Sequence, residues 1–594
     1  MNGDFMKHIK YFCLILVLMY GLKACKPMDT IEDGTMISNK EQSDQESVLA
    51  DKQVSEDQAS PDNELTEGDI IKVAEYKYEQ DLNMIDDNYR TYYEVFLYSF
   101  YDSDGDGIGD INGLISKLDY INDGNPDTDS DLGFNGIWLM PIMPSDTYHK
   151  YDVKDYYDID PAYGSLDDFK RLVEECNNRG IKLIIDLVLN HSSDRHPWFL
   201  SAKDSLNIEP CGQESCIHEK LCREHNPYVN YYNFIEGKLD RTDYYHTGVG
   251  DYYYEAVFTS NMPDLNLDDE NLRKDIEDIM RYWLDMGVGG FRLDAALHYF
   301  SDDTDKNNEV LSWLNDFIKD YNKETYMVAE VWTNFGTFSR YYKSGIDSLF
   351  NFSFAMESGK ITETLNYKGA DNSAKAFGQA MIEVQSGLGK YSDTAIDAPF
   401  FTNHDTARAA GFFMGDSMKT KMAGGMNLMM SGNVFVYYGE ELGMSGSGRD
   451  ENKRAPMFWS YDNGQVGMTK GPDAMETVEH RFEPFESQKD DPLSIYNYYK
   501  RAIRLRNENP EIARGKIAYM TEIEDIDICA IEKSYEESSI YMLYNISNEE
   551  KEVRVSKSAY QYEGIRGYLS ANGEEAILDD ELLVLPPYSI VILK

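Results

Sequence analysis

Short apolar runs that end abruptly in polar residues recur along the chain, each followed by a loop and a stretch of helical period. Gly136-Ile-Trp-Leu-Met-Pro141, Ile181-Lys-Leu-Ile-Ile-Asp186-Leu-Val-Leu-Asn190-His191, Gly290-Phe-Arg292-Leu-Asp294, Tyr326-Met-Val-Ala-Glu330-Val-Trp332 and Pro399-Phe-Phe-Thr-Asn403-His404-Asp405 all have this form. Runs apolar on both faces suit parallel strands covered by helices. The alternation of strand, loop and helix, with Leu166 to Arg179 a clear helix, predicts a parallel α/β barrel whose site lies on the loops at the strands' carboxyl ends. The run Tyr92 to Tyr101 supplies the first strand and Val434 to Glu441 the last, with Ser494 to Asn507 as the closing helix.

The rhythm stops between Ser192 and Asp268, where a Tyr-rich stretch reads as an inserted subdomain (192–268) closed by Met262-Pro-Asp264-Leu-Asn266. The barrel then occupies 88–191 and 269–510, and the alternating patterns Ile540 to Asn545 and Ser589 to Leu593 predict an antiparallel β domain over 511–594. Cys211, Cys216 and Cys222 fall close together in the insertion. Outside the cell they support one disulfide and a free thiol; the alternative is zinc held with His218 or His225, although the spacing is not a familiar knuckle.

At the amino terminus a weakly basic start (Lys7, His8, Lys10) leads into an apolar run, Tyr11 to Leu22, too short to span a bilayer as an ordinary helix. It ends Leu22-Lys23-Ala24-Cys25, which resembles the bacterial lipoprotein box, with Lys23 where a small residue is usual. The expectation is a signal over 1–25, lipidation at Cys25 and an extracytoplasmic protein lipid-anchored to the bacterial cell membrane. An uncleaved anchor would place it on the same side. Residues 26–87, rich in Asp, Glu, Ser and Gln, read as a disordered tether. With 56 basic against 106 acidic residues the net charge is −50, which repels phosphates and argues against nucleic acid or direct membrane binding.

After the first strand comes Asp102-Ser-Asp104-Gly-Asp106-Gly-Ile108-Gly-Asp110. Carboxylates at every second position, with glycines that let the loop curl and the Ile108 carbonyl beside them, point hard oxygens at one centre, and calcium is the expected ion. Gly113 stands where an EF-hand has its Glu, so the loop reads as a local clip rather than a sensor.

Asp294, Glu330 and Asp405 end successive strands, in the company of His191, His298 and His404. Paired carboxyl groups of this kind suit glycoside hydrolysis by double displacement. From Tyr92 to the carboxyl terminus the chain resembles the α-amylase family of retaining glycoside hydrolases, through Asp186-Leu-Val-Leu-Asn190-His191, Gly290-Phe-Arg292-Leu-Asp294-Ala-Ala-Leu-His298, Glu330-Val-Trp332 and Thr402-Asn-His404-Asp405. The Met-Pro-Asp-Leu-Asn run is similar to a subgroup that includes lipoprotein α-amylases. The resemblance implies a TIM (β/α)8 barrel with an inserted subdomain after strand 3 and a C-terminal antiparallel β-sandwich domain, acting as a monomer. It implies Asp294 as nucleophile, Glu330 as acid then base, and Asp405 as the grip on the distorted sugar. Substrate would be held by His149, Tyr151, Asp152, His191, Arg292, His298, His404 and Arg408, with Asp102, Asp104, Asp106, Ile108 and Asp110 on calcium. Lys150 and Ala329 replace glycines usual in the family. The implied substrate is a starch-type α-1,4-glucan. The alternatives are an oligosaccharide α-glucosidase or neopullulanase-like activity, toward which Asp152 points, and a glycan-binding protein without chemistry.

Overall fold

A computed structural model of the chain describes residues 87–212, 221–366, 373–462 and 464–594. The signal, Cys25 and all but the last residue of the expected tether lie outside these residues, as do Cys216 and His218. Asp87, placed by sequence at the end of the tether, is already tied down by Arg514, whose Nε lies 2.8 Å from its carboxylate.

Eight parallel strands pair in the order 7-6-5-4-3-2-1-8: β1 Thr91–Val95, β2 Gly136–Leu139, β3 Lys182–Leu187, β4 Gly290–Leu293, β5 Tyr326–Ala329, β6 Ser348–Asn351, β7 Ile396–Pro399 and β8 Val434–Tyr437. A parallel bridge between Phe400 and Phe435 joins the two edges and closes a TIM barrel. Alternate strand residues point inward. Tyr92, Trp138, Ile184, Tyr326, Phe350 and Phe435 pack together inside the barrel, while their neighbours Tyr93, Ile137, Ile185 and Met327 join the larger core under the helices. The Tyr92 and Phe435 rings stack at 4.7 Å between centroids, and Trp138 lies 5.3 Å from Phe350. Gly136 makes room for this filling, because a Cβ there would come within 2.5 Å of the Tyr92 ring.

Helices Leu166–Asn178, Glu270–Asp285, Thr304–Tyr321 and Ile495–Asn507 cover the outside. The first is held by a capping box between Ser165 and Asp168. Two of the others start at Asp269 and Asp303, whose side chains accept first-turn N–H groups.

The insertion after β3 carries helix Pro197–Ser205 and a three-stranded antiparallel sheet in the order Phe234–Glu236, Tyr252–Glu255, Tyr244–His246. The bridge of His191 to Asp264, and the Leu265 N–H donating to the Asn190 carbonyl at 2.9 Å, fasten it to the end of β3. Beyond helix Pro510–Arg514, a five-stranded and a three-stranded antiparallel sheet enclose a second core that includes Ile528, Leu543, Leu583 and Val591. Buried Lys533 joins this sandwich to the barrel, its Nζ donating to the carbonyls of Met429 and Ile512 at 2.9 and 2.7 Å.

Candidate active site

The site is assembled by register. Arg292 on β4 lies beside Asp186 on β3 and Val328 on β5, so its guanidinium sits between carboxylates from three strands. Nη1 donates to Asp294 at 2.6 Å and to both oxygens of Asp186 at 3.0 and 2.9 Å; Nη2 donates to Glu330 at 2.8 Å. At 1% exposure this is a fully desolvated arginine, tolerable only because ionised or hydrogen-bonded carboxyls surround it. The chain leaves β4 through Ala295 in a left-handed conformation (φ 48°), and the Ala295 N–H donates to Glu330 at 3.3 Å. A β-carbon in this region is strained, and such strain persists where the surroundings over-determine it.

Asp405 is gripped from two sides. His404 Nε2 lies 3.0 Å from Oδ2, and Arg454 Nη2 donates to Oδ1 at 3.0 Å. His404 Nδ1 meets Glu94 of β1 at 2.6 Å, and Tyr151 Oη lies 2.9 Å from His404 Nε2 and 3.1 Å from Asp186. Burial disfavours the imidazolium, but Asp405 and Glu94 outweigh it and push His404 up to about 10. Burial likewise opposes ionisation of Asp405, yet His404 and Arg454 hold its carboxyl well below the usual range. Glu330 is moved the other way: burial first, and then the charges of Asp294 and Asp405, raise it to about 7 despite Arg292. Two carboxyls on one wall are thus driven apart, one protonated near neutrality and one ionised, the arrangement acid–base chemistry requires.

These groups open onto a cavity of about 440 Å³. Its wall includes Asp294, Glu330, Asp405, His149, Tyr151, His191 and His298, which the sequence reading grouped together. His191 lines this space, and its Nε2 is buried without a hydrogen-bond partner. Arg292 lies beneath the wall, as a brace for the carboxylates.

Four residues expected to hold substrate stand outside the wall: Arg292 and His404 lie behind it and hold carboxylates, and Asp152 and Arg408 are engaged elsewhere. Asp152 does not line the cavity: it is 2% exposed, and its carboxylate is taken up by the hydroxyls of Ser145 and Thr147 in its own loop. Arg408 is likewise absent from the wall. Its guanidinium stacks on Tyr437 and Tyr438, and donates to the carbonyls of Tyr438 and Lys453 at 2.6 and 2.9 Å. The arginine at the site is Arg454. It ends the short helix Asp450–Lys453, whose turn also brings Asp450 to the cavity, where it pairs with Arg454 and accepts from Tyr148 at 2.7 Å. The run Arg449-Asp-Glu-Asn-Lys-Arg454 carried the signal, with Asp450 and Arg454 as opposite charges at i,i+4 spacing after a barrel strand. Phe258 and Met262 enter from the insertion, and exposed Trp332 stacks on Phe352 at 4.9 Å at the rim.

In the loop after β1, carboxylate oxygens of Asp102, Asp104 and Asp106 converge within 4.8 Å. Asp110 caps helix Ile111–Ser116 through Gly113 N at 2.8 Å and accepts from Ser103 N and Oγ at 2.7 Å, while Asp102 accepts from the N–H groups of Asp104, Gly105 and Gly107 at 3.1, 2.6 and 2.7 Å. The Ile108 N–H donates to Asp106 at 2.7 Å.

Residues 94–515 match the family model described as the alpha amylase catalytic domain. The chain belongs to the alpha-amylase family. A curated relative, alpha-amylase 3 of Dictyoglomus thermophilum, is 35% identical over 505 residues, covering 85% of this chain and 92% of its own. Among solved structures, Eubacterium rectale Amy13B is 44% identical with a TM-score of 0.80, over 86% of this chain and 97% of that one. An alpha-amylase from H. orenii is 36% identical with a TM-score of 0.71, over 85% of this chain and 99% of that one.

Proposed function

We propose that the protein hydrolyses α-1,4-glucosidic bonds of starch-type glucans and maltooligosaccharides with retention of anomeric configuration. The observation that carries this reading is the wall formed by Asp294, Glu330 and Asp405, with the first two sharing the Arg292 guanidinium. Asp294 attacks the anomeric carbon. Glu330, protonated near neutrality, gives its proton to the departing sugar oxygen, so the glycosidic bond breaks as the Asp294–sugar ester forms. The ionised Glu330 then takes a proton from water, whose oxygen displaces Asp294. Asp405, locked by His404 and Arg454, holds the sugar hydroxyls while the ring flattens. His191 and Tyr151 line the cavity that the ring enters.

Calcium fits the loop after β1 through Asp102, Asp104 and Asp106, a set of hard oxygens suited to that ion. It would stiffen the first β-to-α connection. The outward location, with a lipid at Cys25 and an acidic tether, rests on residues 1–87 of the sequence and suits a polymer too large to import.

Proton NMR of fresh digests tests the reaction. The α-anomer of the new reducing end should appear first, and first release of the β-anomer would refute double displacement at Asp294.

A further inference from the structure

The inserted subdomain holds a second cluster of chemically active side chains, which hydrolysis does not use. Cys211 Sγ and Cys222 Sγ each lie 3.4 Å from Nδ1 of the same residue, His225. Glu224 Oε2 stands 3.8 Å from Cys211 Sγ. One ligand atom from each of these four residues lies within 4.8 Å of all the others.

Hydrogen bonding accounts poorly for this convergence. A ring nitrogen offers one lone pair or one N–H in its plane, so Nδ1 serves one sulfur well and not two. One cation at the centre serves all four groups. Tetrahedral zinc, with Zn–S of about 2.3 Å and Zn–N of about 2.0 Å, requires S···N edges of about 3.5 Å, close to both distances found. Two sulfurs and an imidazole are donors for a soft or borderline ion and poor ones for calcium. We propose that Cys211, Cys222, Glu224 and His225 form a structural binding site for a thiophilic divalent cation, zinc foremost.

The backbone supports that geometry. The Cys222 carbonyl accepts from the N–H groups of His225 and Asn226 at 3.0 and 2.8 Å, a turn that brings Cys222 and His225 to one side. The Gly212 N–H donates to Glu224 at 2.9 Å and orients its carboxylate. Two thiolates, an imidazole and a carboxylate, four protein ligands, complete a tetrahedron, so the site is closed in the manner of structural rather than catalytic zinc. Its mechanical role follows from the next residue. The Asn226 amide donates to Ser201 and Ser205 at 3.0 and 2.7 Å, which ties the turn to helix Pro197–Ser205. A cation would staple Cys211 to the turn Cys222–His225 and so to that helix, and firm the subdomain that delivers Phe258 and Met262 to the cavity.

The test uses the purified full-length chain, incubated with zinc alone, desalted, and analysed for metal by mass spectrometry. The expectation is about one zinc per chain, released by a mercurial thiol reagent, and near absence of zinc in Cys222→Ser and His225→Ala. Cobalt loaded into the wild type should give a thiolate-to-metal charge-transfer band with intense tetrahedral d–d bands. That spectrum decides the matter even if the variants fail to fold. The proposal is overturned if the wild type retains no zinc and gives no such cobalt spectrum, if Cys222→Ser binds zinc as the wild type does, or if peptide mapping finds Cys211 or Cys222 in a disulfide in the native protein.

Discussion

Arg292 donates to Glu330 at 2.8 Å, yet Glu330 is the carboxyl that burial and its anionic neighbours raise to about 7. The guanidinium therefore steadies Glu330 without stripping its proton, because the same cation is shared with Asp186 and Asp294. Positioning and protonation are set by different groups.

Asp294→Asn and Glu330→Gln should each leave a folded protein with almost no turnover of maltooligosaccharides, since nucleophile and acid work as a unit. A residual rate above about a tenth of wild type, a loss of only about 1.4 kcal/mol, would remove these residues from the roles given them.

The pH profile should have an alkaline limb set by Glu330. A raised carboxyl is protonated below its pKa and loses its proton as pH rises through it, so turnover should fall through about pH 7. Activity that stayed level from about pH 6 to 9 would mean that another group is the acid.

Arg454 and Arg408 should separate cleanly. Arg454→Met frees Asp405 from one partner and should raise KM or lower kcat by roughly tenfold or more, while Arg408→Met, off the cavity wall, should cost about 1 to 3 kcal/mol of stability through its unpaired carbonyls. Steady-state kinetics beside thermal melts read both effects. Comparable kinetic damage from the two variants would contradict the placement.

Calcium in the loop after β1 predicts a lower melting temperature in chelator, restored by excess calcium. Asp102→Asn should melt low even with calcium present. Identical melts for variant and wild type, with and without the ion, would argue for a loop that closes on its own hydrogen bonds.

Cys25→Ser should abolish fatty-acid labelling and move the protein from the membrane fraction to the soluble one. Recovery of the mature chain with residues 1–24 intact would rule out lipidation.

The barrel was legible because β3, β4 and β5 are apolar runs ending in Asp186, Asp294 and Glu330, a pattern long-range packing has no reason to disguise. Strand β6 went unread: Ser348-Leu-Phe-Asn is four residues long and carries no charged terminus to mark its end. Arg408 and Arg454 show a second limit. Both are arginines near strand ends, and only the packing of Arg408 onto Tyr437 and Tyr438 tells which one turns away from the cavity. Asp152 shows the same limit, as nothing local announces that the hydroxyls of Ser145 and Thr147 donate to its carboxylate.

The rings of Tyr92, Trp138, Phe350 and Phe435 act as a stopper under the site. No chain can be threaded through the barrel; a polymer has to dip in and come out by the same mouth. Substrate selection is therefore left to the loops around that mouth, those carrying Phe258, Met262, Trp332 and Arg454, and not to the barrel itself.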